Sequence, residues 1–233
     1  MILAVIPARG GSKRIPRKNI KDFCGRPIIT YSIEAALLSG CFDRVIVSTD
    51  DEEIASVAIE SGAEVPFVRP DHLSDDYTGT IPVIKHAIQE ISLGSVKPEF
   101  VCCIYPTAPL LSVRYVHDAL KAVRETNADY AISVTSYPFP IQRSVRVSSN
   151  GRLEMLCPEY FPSRSQDLEE FFHDAGQFYA GRACAWLNEK KFFDSGSIPI
   201  RIPRHRVQDI DTVEDWVRAE MLFKLLAESD AAI

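Results

Sequence analysis

The 233-residue sequence has no apolar run near the roughly 18 residues that a membrane span needs, so no bilayer-crossing helix is expected. Its opening, Met1 to Ile6, lacks a basic leader region and meets Pro7, which predicts a first strand rather than a secretory signal. Disulfide and zinc patterns are also missing. The six cysteines (Cys24, Cys41, Cys102, Cys103, Cys157 and Cys184) form no C-x-x-C pair, and no histidine lies at zinc-like spacing. Reduced thiols in a cytoplasmic protein are the expectation. Neither G-x-x-x-x-G-K-[ST] nor G-x-G-x-x-G occurs, which excludes the two common glycine-rich nucleotide loops. There is no evident histidine base either, since His72, His86, His117, His173 and His205 are scattered. Internal repeats and low-complexity tracts are absent. A basic excess is lacking too: 26 Lys and Arg against 32 Asp and Glu give a net charge of −6, which argues against a nucleic-acid partner.

The charge that is present is unevenly placed. The first acidic residue is Asp22, and before it stand Arg9, Lys13, Arg14, Arg17, Lys18 and Lys21. An acidic protein that concentrates cations in one loop has a small anion to hold there. With 46% hydrophobic and 25% charged residues, the composition suits one α/β domain with a full core.

Strand and helix patterns alternate along the chain. Ile2 to Ile6 is a continuous apolar run, as in a strand buried on both faces of a parallel sheet. Pro27 is expected to open a helix that presents Ile29, Ile33, Ala36 and Leu37 and stops at Gly40. Arg44 to Ser48 reads as a strand, and Asp50 with Glu53 as the capping box of a helix ending at Gly62. A third strand is expected over Glu64 to Val68, then a polar loop from Arg69 to Gly79 and a helix capped by Thr80. Further strands are expected at Phe100 to Ile104 and Tyr130 to Val134, flanking a helix with Val116, Ala119, Leu120 and Val123 inward. From Ser136 the rhythm breaks into prolines, aromatics and an Asn150-Gly151 turn, returning to regular order at Phe178. A late strand, Ile198 to Ile202, and a helix capped by Thr212 complete the chain. The expected organisation is one domain, residues 1–233, with an inserted lobe at about 136–176. The expected architecture is a three-layer α/β sandwich whose ligand site lies at the carboxyl ends of the strands.

Two motifs fall at those ends. The loop Ala8-Arg9-Gly10-Gly11-Ser12-Lys13 through Lys18-Asn19 leaves the first strand. Its glycines permit positive φ and close backbone approach, so that successive N–H groups can face one anion. Arg9, Lys13 and Lys18 supply charge. Late in the chain, Asp209-Ile210-Asp211 spaces two carboxylates on one side of an extended backbone. Spacing alone leaves open whether they serve a hard cation or whether Asp211 merely helps Thr212 to start the last helix.

Read in order, Ala-Arg-Gly-Gly-Ser-Lys-Arg…Arg-Lys-Asn, Arg69-Pro70, Leu73-Ser74-Asp75, Pro106-Thr107-Ala108-Pro109-Leu110, Arg164-Ser165-Gln166-Asp167-Leu168 and Asp209-Ile210-Asp211 resemble the CMP-sialic acid synthetase family of cytidylyltransferases. The resemblance implies a mostly parallel Rossmann-like sheet of the nucleotide-diphospho-sugar transferase type, with the inserted lobe as a dimerisation arm reaching a partner's site. It implies transfer of CMP from CTP to an acidic nine-carbon 2-keto sugar, with Mg²⁺, or Mn²⁺ in its place, on Asp209 and Asp211. It assigns catalysis to Arg9, Lys18, Asp209 and Asp211. Nucleotide binding falls to Ala8, Arg9, Gly10, Gly11, Ser12, Lys13, Lys18, Asn19, Arg69, Thr78 and Thr80. The chain departs from sialic acid enzymes in carrying Tyr105 where they carry Gln, and Asp174 to Tyr179 where they carry Asn-Gly-Ala-Ile-Tyr. His173 to Tyr179 and Pro140-Ile141-Gln142-Arg143 resemble the pseudaminic acid branch instead. The implied sugar contacts are Tyr105, Thr107, Gln142, Gln166, Asp174, Gln177, Phe178 and Tyr179. Sialic or legionaminic acid as the sugar, and a non-catalytic nucleotide-sugar binder, remain the alternatives.

Overall fold

The structure, a computed structural model, describes residues 1–94 and 96–231. Its main sheet has six strands: β1 (Ile2–Pro7), β4 (Arg44–Ser48), β5 (Phe100–Ile104), β6 (Tyr130–Ser136), β9 (Phe172–Arg182) and β10 (Ser197–Arg201). The spatial order is β10-β6-β9-β5-β1-β4. β1 runs parallel to β4 and β5, and β10 parallel to β6, while β9 lies antiparallel between β5 and β6.

Strand alternation sorts β1 between two cores. Ala4 and Ile6 pack with α1 (Ile29–Leu38), α2 (Glu52–Glu60) and α4 (Val113–Glu125) on one face. Leu3 and Val5 pack with α3 (Thr80–Ile91) and α5 (Ala183–Leu187) on the other. This is the expected three-layer sandwich. A third cluster joins the small hairpin of β2 (Asp22–Phe23) and β3 (Arg26–Pro27) to α6 (Val213–Ala231), through Phe23, Tyr31, Ile210, Trp216 and Ala219. It brings the segment before α6 beside the N-terminal loop. Beyond β6, β7 (Val145–Val147) and β8 (Leu153–Met155) form a separate hairpin turned at Asn150-Gly151. Among the described residues, no helix is long and apolar enough to cross a membrane.

Local expectations are corrected in several places. Asp51, not Asp50, caps α2, its carboxylate accepting the Ile54 N–H at 3.0 Å. Thr80 is the first helical residue of α3 rather than its cap. Pro27 pairs across the hairpin, and α1 starts at Ile29. Glu64 to Val68 forms no strand; it touches β4 and the Thr49 segment by two isolated bridges, and Pro66 interrupts it with no N–H to give. Order returns at Phe172 rather than Phe178, because β9 is long and irregular.

That irregularity shapes the site. β9 pairs Tyr179 with Ile132 and Asp174 with Val134, so its residues between them bulge out of register. Gly176 takes φ +62° within the bulge. Ser133 Oγ closes the gap, donating to the Phe178 carbonyl at 3.0 Å and accepting the Phe178 N–H at 3.1 Å.

Candidate active site

A cleft of about 260 Å³ opens where the loop after β1 meets the chain after β5. Arg9, Ser12, Lys13, Lys18, Asn19, Arg69, Thr78, Thr80, Tyr105 and Thr107 all line it. These residues span most of the sequence-assigned nucleotide set and two of the sugar set.

The loop works by side chains more than by its backbone. Gly10 N–H donates to Asp50 at 3.0 Å, and Ser12 N–H turns back to the Gly10 carbonyl at 3.0 Å. Neither Gly10 nor Gly11 has positive φ, which corrects the expected string of anion-facing amides. Gly10 is needed for clearance: a Cβ there would lie 2.6 Å from Asp51 Oδ2. Ala8 is fully buried, its N–H given to the Ser48 carbonyl at 2.9 Å, so it anchors the loop from below. Asn19 Nδ2 donates to the Arg9 carbonyl at 2.9 Å and ties the loop's two ends together. Arg17 is turned away to Asp51 and Glu53.

The cations on the cleft wall already hold a carboxylate. Arg9 pairs with Asp76 at 3.0 Å, and Lys13 with the other oxygen of the same group. Asp76 therefore sits where an anionic ligand's oxygens would sit. Sequence reasoning missed it, since nothing in the 71–79 loop pattern shows that its chain path returns to Arg9.

At the cleft floor lies Arg69, only 4% exposed. Burial lowers its pKa, opposed by the Asp50 carboxylate. Its Nε and Nη2 are buried without a hydrogen-bond partner, and Asp50 Oδ1 is 3.8 Å from Nη2, beyond bonding range. Each unmet donor costs about 1–3 kcal/mol. Two adjacent N–H groups of one planar fork in the cleft lining suit a pair of acceptors.

The acidic pair stands next to the cleft, beside its lining residues Arg14 and Lys18. Lys18 Nζ donates to the Ile210 carbonyl at 2.6 Å and lies 3.7 Å from Asp211 Oδ1. Arg14 holds Asp211 Oδ2 at 2.8 Å. Burial lowers the Lys18 pKa against the pull of Asp211 and Asp209. Asp209 is exposed to solvent, yet the atoms packed around its carboxyl raise its pKa, helped by the charges of Asp211 and Asp174. Thr212 and Asp215 form the reciprocal cap of α6, with Thr212 N–H to Asp215 at 2.9 Å and Asp215 N–H to Thr212 Oγ1 at 3.2 Å. That leaves Asp211 free of capping duty. No group of three metal-ligating side chains gathers among the described residues. Asp209, whose proton affinity the charge of Asp211 raises, stands close to that second carboxylate, and the two nevertheless fit a hard cation such as Mg²⁺, which takes one or two carboxylates and completes its shell with water and phosphate oxygens.

The sugar-side residues divide. Tyr105 is mostly buried, its ring edge-on to Tyr179 at 5.5 Å, and its hydroxyl meets Thr80 Oγ1 at 2.9 Å. Tyr179 donates to Asp174, which also accepts the Gly176 N–H at 2.8 Å. Four residues fall elsewhere. Phe178 is fully buried in the core with α1 and α4, because successive strand residues point to opposite faces and Tyr179 takes the other one. Gln177 is buried, donating to the Arg206 carbonyl, and so braces the turn before Asp209. In the lobe, Gln142 donates to the Glu169 carbonyl at 3.0 Å and Gln166 is exposed, so neither lines this chain's cleft.

Similarity to known proteins agrees with this geometry. Residues 3–155 match the family model described as Cytidylyltransferase. Pseudaminic acid cytidylyltransferase of Campylobacter jejuni subsp. jejuni serotype O:2 is 45% identical over 227 residues, 97% of this chain and 98% of that one. CMP-N,N'-diacetyllegionaminic acid synthase of Legionella pneumophila subsp. pneumophila is 32% identical over 98% of both chains. Among solved structures, a CMP:2-keto-3-deoxy-manno-octonic acid synthetase complexed with CTP superposes with a TM-score of 0.70 at 19% identity, covering 98% of this chain and 99% of that one. That last likeness carries the fold. With the family model spanning residues 3–155 and end-to-end relatives at 45% and 32% identity, this chain belongs to the cytidylyltransferase family and is a nucleotidyltransferase enzyme.

Proposed function

We propose that the enzyme transfers CMP from CTP to the anomeric hydroxyl of pseudaminic acid, a nine-carbon 2-keto acid sugar, releasing pyrophosphate. The observation that carries the base assignment is Arg69. Its unmet Nε–H and Nη2–H suit two adjacent acceptors, which the O2 and N3 atoms of cytosine supply. Uracil carries a donor at N3 and leaves one of them unmet. The choice of sugar rests on the similarity to pseudaminic acid enzymes and on Tyr105, which lines the cleft with the buried Tyr179 ring edge-on behind it.

Transfer to phosphorus asks the protein mainly to position and to neutralise charge. Arg9, Lys13 and Ser12 hold the β- and γ-phosphates, displacing Asp76, and Asn19 keeps the loop in shape. Asp209 and Asp211 hold Mg²⁺, or Mn²⁺. When bound, that ion supplies Lewis-acid charge at the α-phosphate. Arg14 and Lys18, which now share Asp211, stand close enough to turn to the leaving pyrophosphate. Thr78 lines the nucleotide side, and Tyr105 and Thr107 line the sugar side, with Tyr179 and Asp174 behind Tyr105. The lobe acts as the arm of a homodimer, carrying Gln142 and Gln166 toward the partner's cleft. The reaction belongs in the cytoplasm, where CTP is made. The test is pyrophosphate release from CTP and Mg²⁺ with pseudaminic, legionaminic and sialic acids in parallel. Pseudaminic acid should be the preferred acceptor by at least about tenfold; comparable turnover of sialic acid defeats the sugar assignment. CTP binding with no pyrophosphate from any of them marks a non-catalytic binder.

A further inference from the structure

The rim of the sheet opposite the cleft holds a second cluster of reactive side chains. Gly40 takes φ +61° just past α1, and the chain turns at Cys41 toward β4. Asp43 N–H donates to the Ile2 carbonyl at 2.9 Å, so this turn sits where β1 begins, away from the carboxyl ends of the strands. Cys41 N–H donates to Ser39 Oγ at 3.2 Å, which fixes the backbone behind the thiol. Cys41 Sγ lies 3.3 Å from His117 Nδ1 on α4. Among the described residues, no other cysteine has a histidine nitrogen within bonding range.

A cavity of about 190 Å³ opens at this pair. His117, Lys121 and Arg124 reach it from one side of α4, at i, i+4 and i+7 spacing. Leu120 supplies an apolar wall, and Glu125 the one carboxylate. Among the described residues neither Lys121 nor Arg124 forms an ion pair; the Arg124 guanidinium stands 5.8 Å from the Phe100 ring. Two permanent cations against one carboxylate leave the cavity positive. A half-buried thiol with a base at hydrogen-bond distance, in a positive cavity, is arranged to attack a small anionic electrophile.

We propose that Cys41 with His117 is a thiol modification site that takes up an anionic, carboxylate-bearing low-molecular-weight disulfide as a mixed disulfide. His117 Nδ1 accepts the Cys41 proton as Sγ attacks one sulfur of the incoming disulfide. A bond forms between Cys41 and that sulfur, the original S–S bond breaks, and the second sulfur leaves as a thiolate with the electron pair. The departing thiolate takes its proton from His117 or from water. One disulfide replaces another, so the exchange balances with no further oxidant. Lys121 and Arg124 hold the carboxylates of the incoming molecule.

The other cysteines are controls within the same chain. Cys184 is exposed, Cys24 and Cys157 are half-buried, and Cys102 and Cys103 are fully buried. The fully reduced protein is exposed at neutral pH to glutathione disulfide, which is anionic, or to 2-hydroxyethyl disulfide, which is uncharged. Peptide mass mapping over time then gives the rate at each cysteine. Cys41 should acquire glutathione first, ahead of the more exposed Cys184. His117→Gln should slow Cys41 by at least about tenfold with both reagents and leave Cys184 unchanged. Lys121→Gln with Arg124→Gln should slow only glutathione disulfide at Cys41, by about tenfold. All three substitutions are at exposed positions, and Cys102 and Cys103 stay unlabelled while the fold is intact. Labelling of Cys184 before Cys41, or an unchanged Cys41 rate in His117→Gln, overturns the pair as a reactive site. An unchanged glutathione rate in the double variant overturns the anionic ligand.

Discussion

Arg69 and Asp76 line the same cleft with opposite signatures. Arg69 has donors with no acceptor, whereas Asp76 satisfies cations that a ligand must reclaim. An incoming triphosphate has to break the Asp76 pairs with Arg9 and Lys13, which are partly solvent-screened and so modest in strength. Asp76→Asn should therefore lower KM for CTP several-fold with kcat little changed; a raised KM contradicts the placeholder role. Asp211→Ala and Lys18→Ala should each remove most turnover while the fold persists, checked by pyrophosphate release alongside circular dichroism. Asp209 gives a readout independent of turnover. Its pKa is raised in the folded state, so without metal it costs stability as pH climbs from the ordinary 3.8 through the raised value. A bound cation needs the ionised form and reverses that cost. At about 100 times its Kd, Mg²⁺ should add about 2.7 kcal/mol, roughly 5–10 °C in Tm for a chain of this size. That increment should fade as pH falls through the raised pKa of Asp209, and should vanish in Asp209→Asn.

Strands and helices with uninterrupted patterns were legible from sequence. β1 and β5 are apolar throughout, and α4 shows its buried face as Val116, Ala119, Leu120 and Val123. β9 was not, because His173, Asp174, Gly176 and Gln177 break its alternation to build the bulge. The cap of α2 was misplaced by one residue, since either of two adjacent aspartates satisfies the pattern and only the loop path makes Asp51 the cap and sends Asp50 to Gly10. The N-terminal cations were legible by composition, but which of them face the cleft depends on Asp51 and Glu53 drawing Arg17 away. Asp51→Ala should lose the cap, about 1 kcal/mol, and release Arg17 as well, a fall that urea unfolding can measure. Gly181 lies where β9 crosses β6, and a Cβ there would stand 2.4 Å from Tyr130 Cδ1. Gly181→Ala should cost about 1–3 kcal/mol by overpacking; a neutral result contradicts the close approach of the two strands.

Across the whole molecule, a six-stranded sheet carries the cleft and the third cluster fastens α6 to the N-terminal hairpin, which is how residues as distant as Lys18 and Asp211 meet. The lobe beyond β6 exposes the apolar side chains of Val147 at 70%, Leu153 at 71% and Phe161 at 71%. If it is the arm of a dimer, Val147→Glu with Leu153→Glu should shift sedimentation from dimer to monomer, and a wild-type monomer at micromolar concentration contradicts the arm. The account as a whole turns on one transfer. Purified enzyme given CTP, Mg²⁺ and pseudaminic acid should release pyrophosphate and form the CMP-sugar, with UTP and sialic acid each far poorer in its place. Pyrophosphate release that prefers UTP, or that runs as fast with sialic acid, would contradict it.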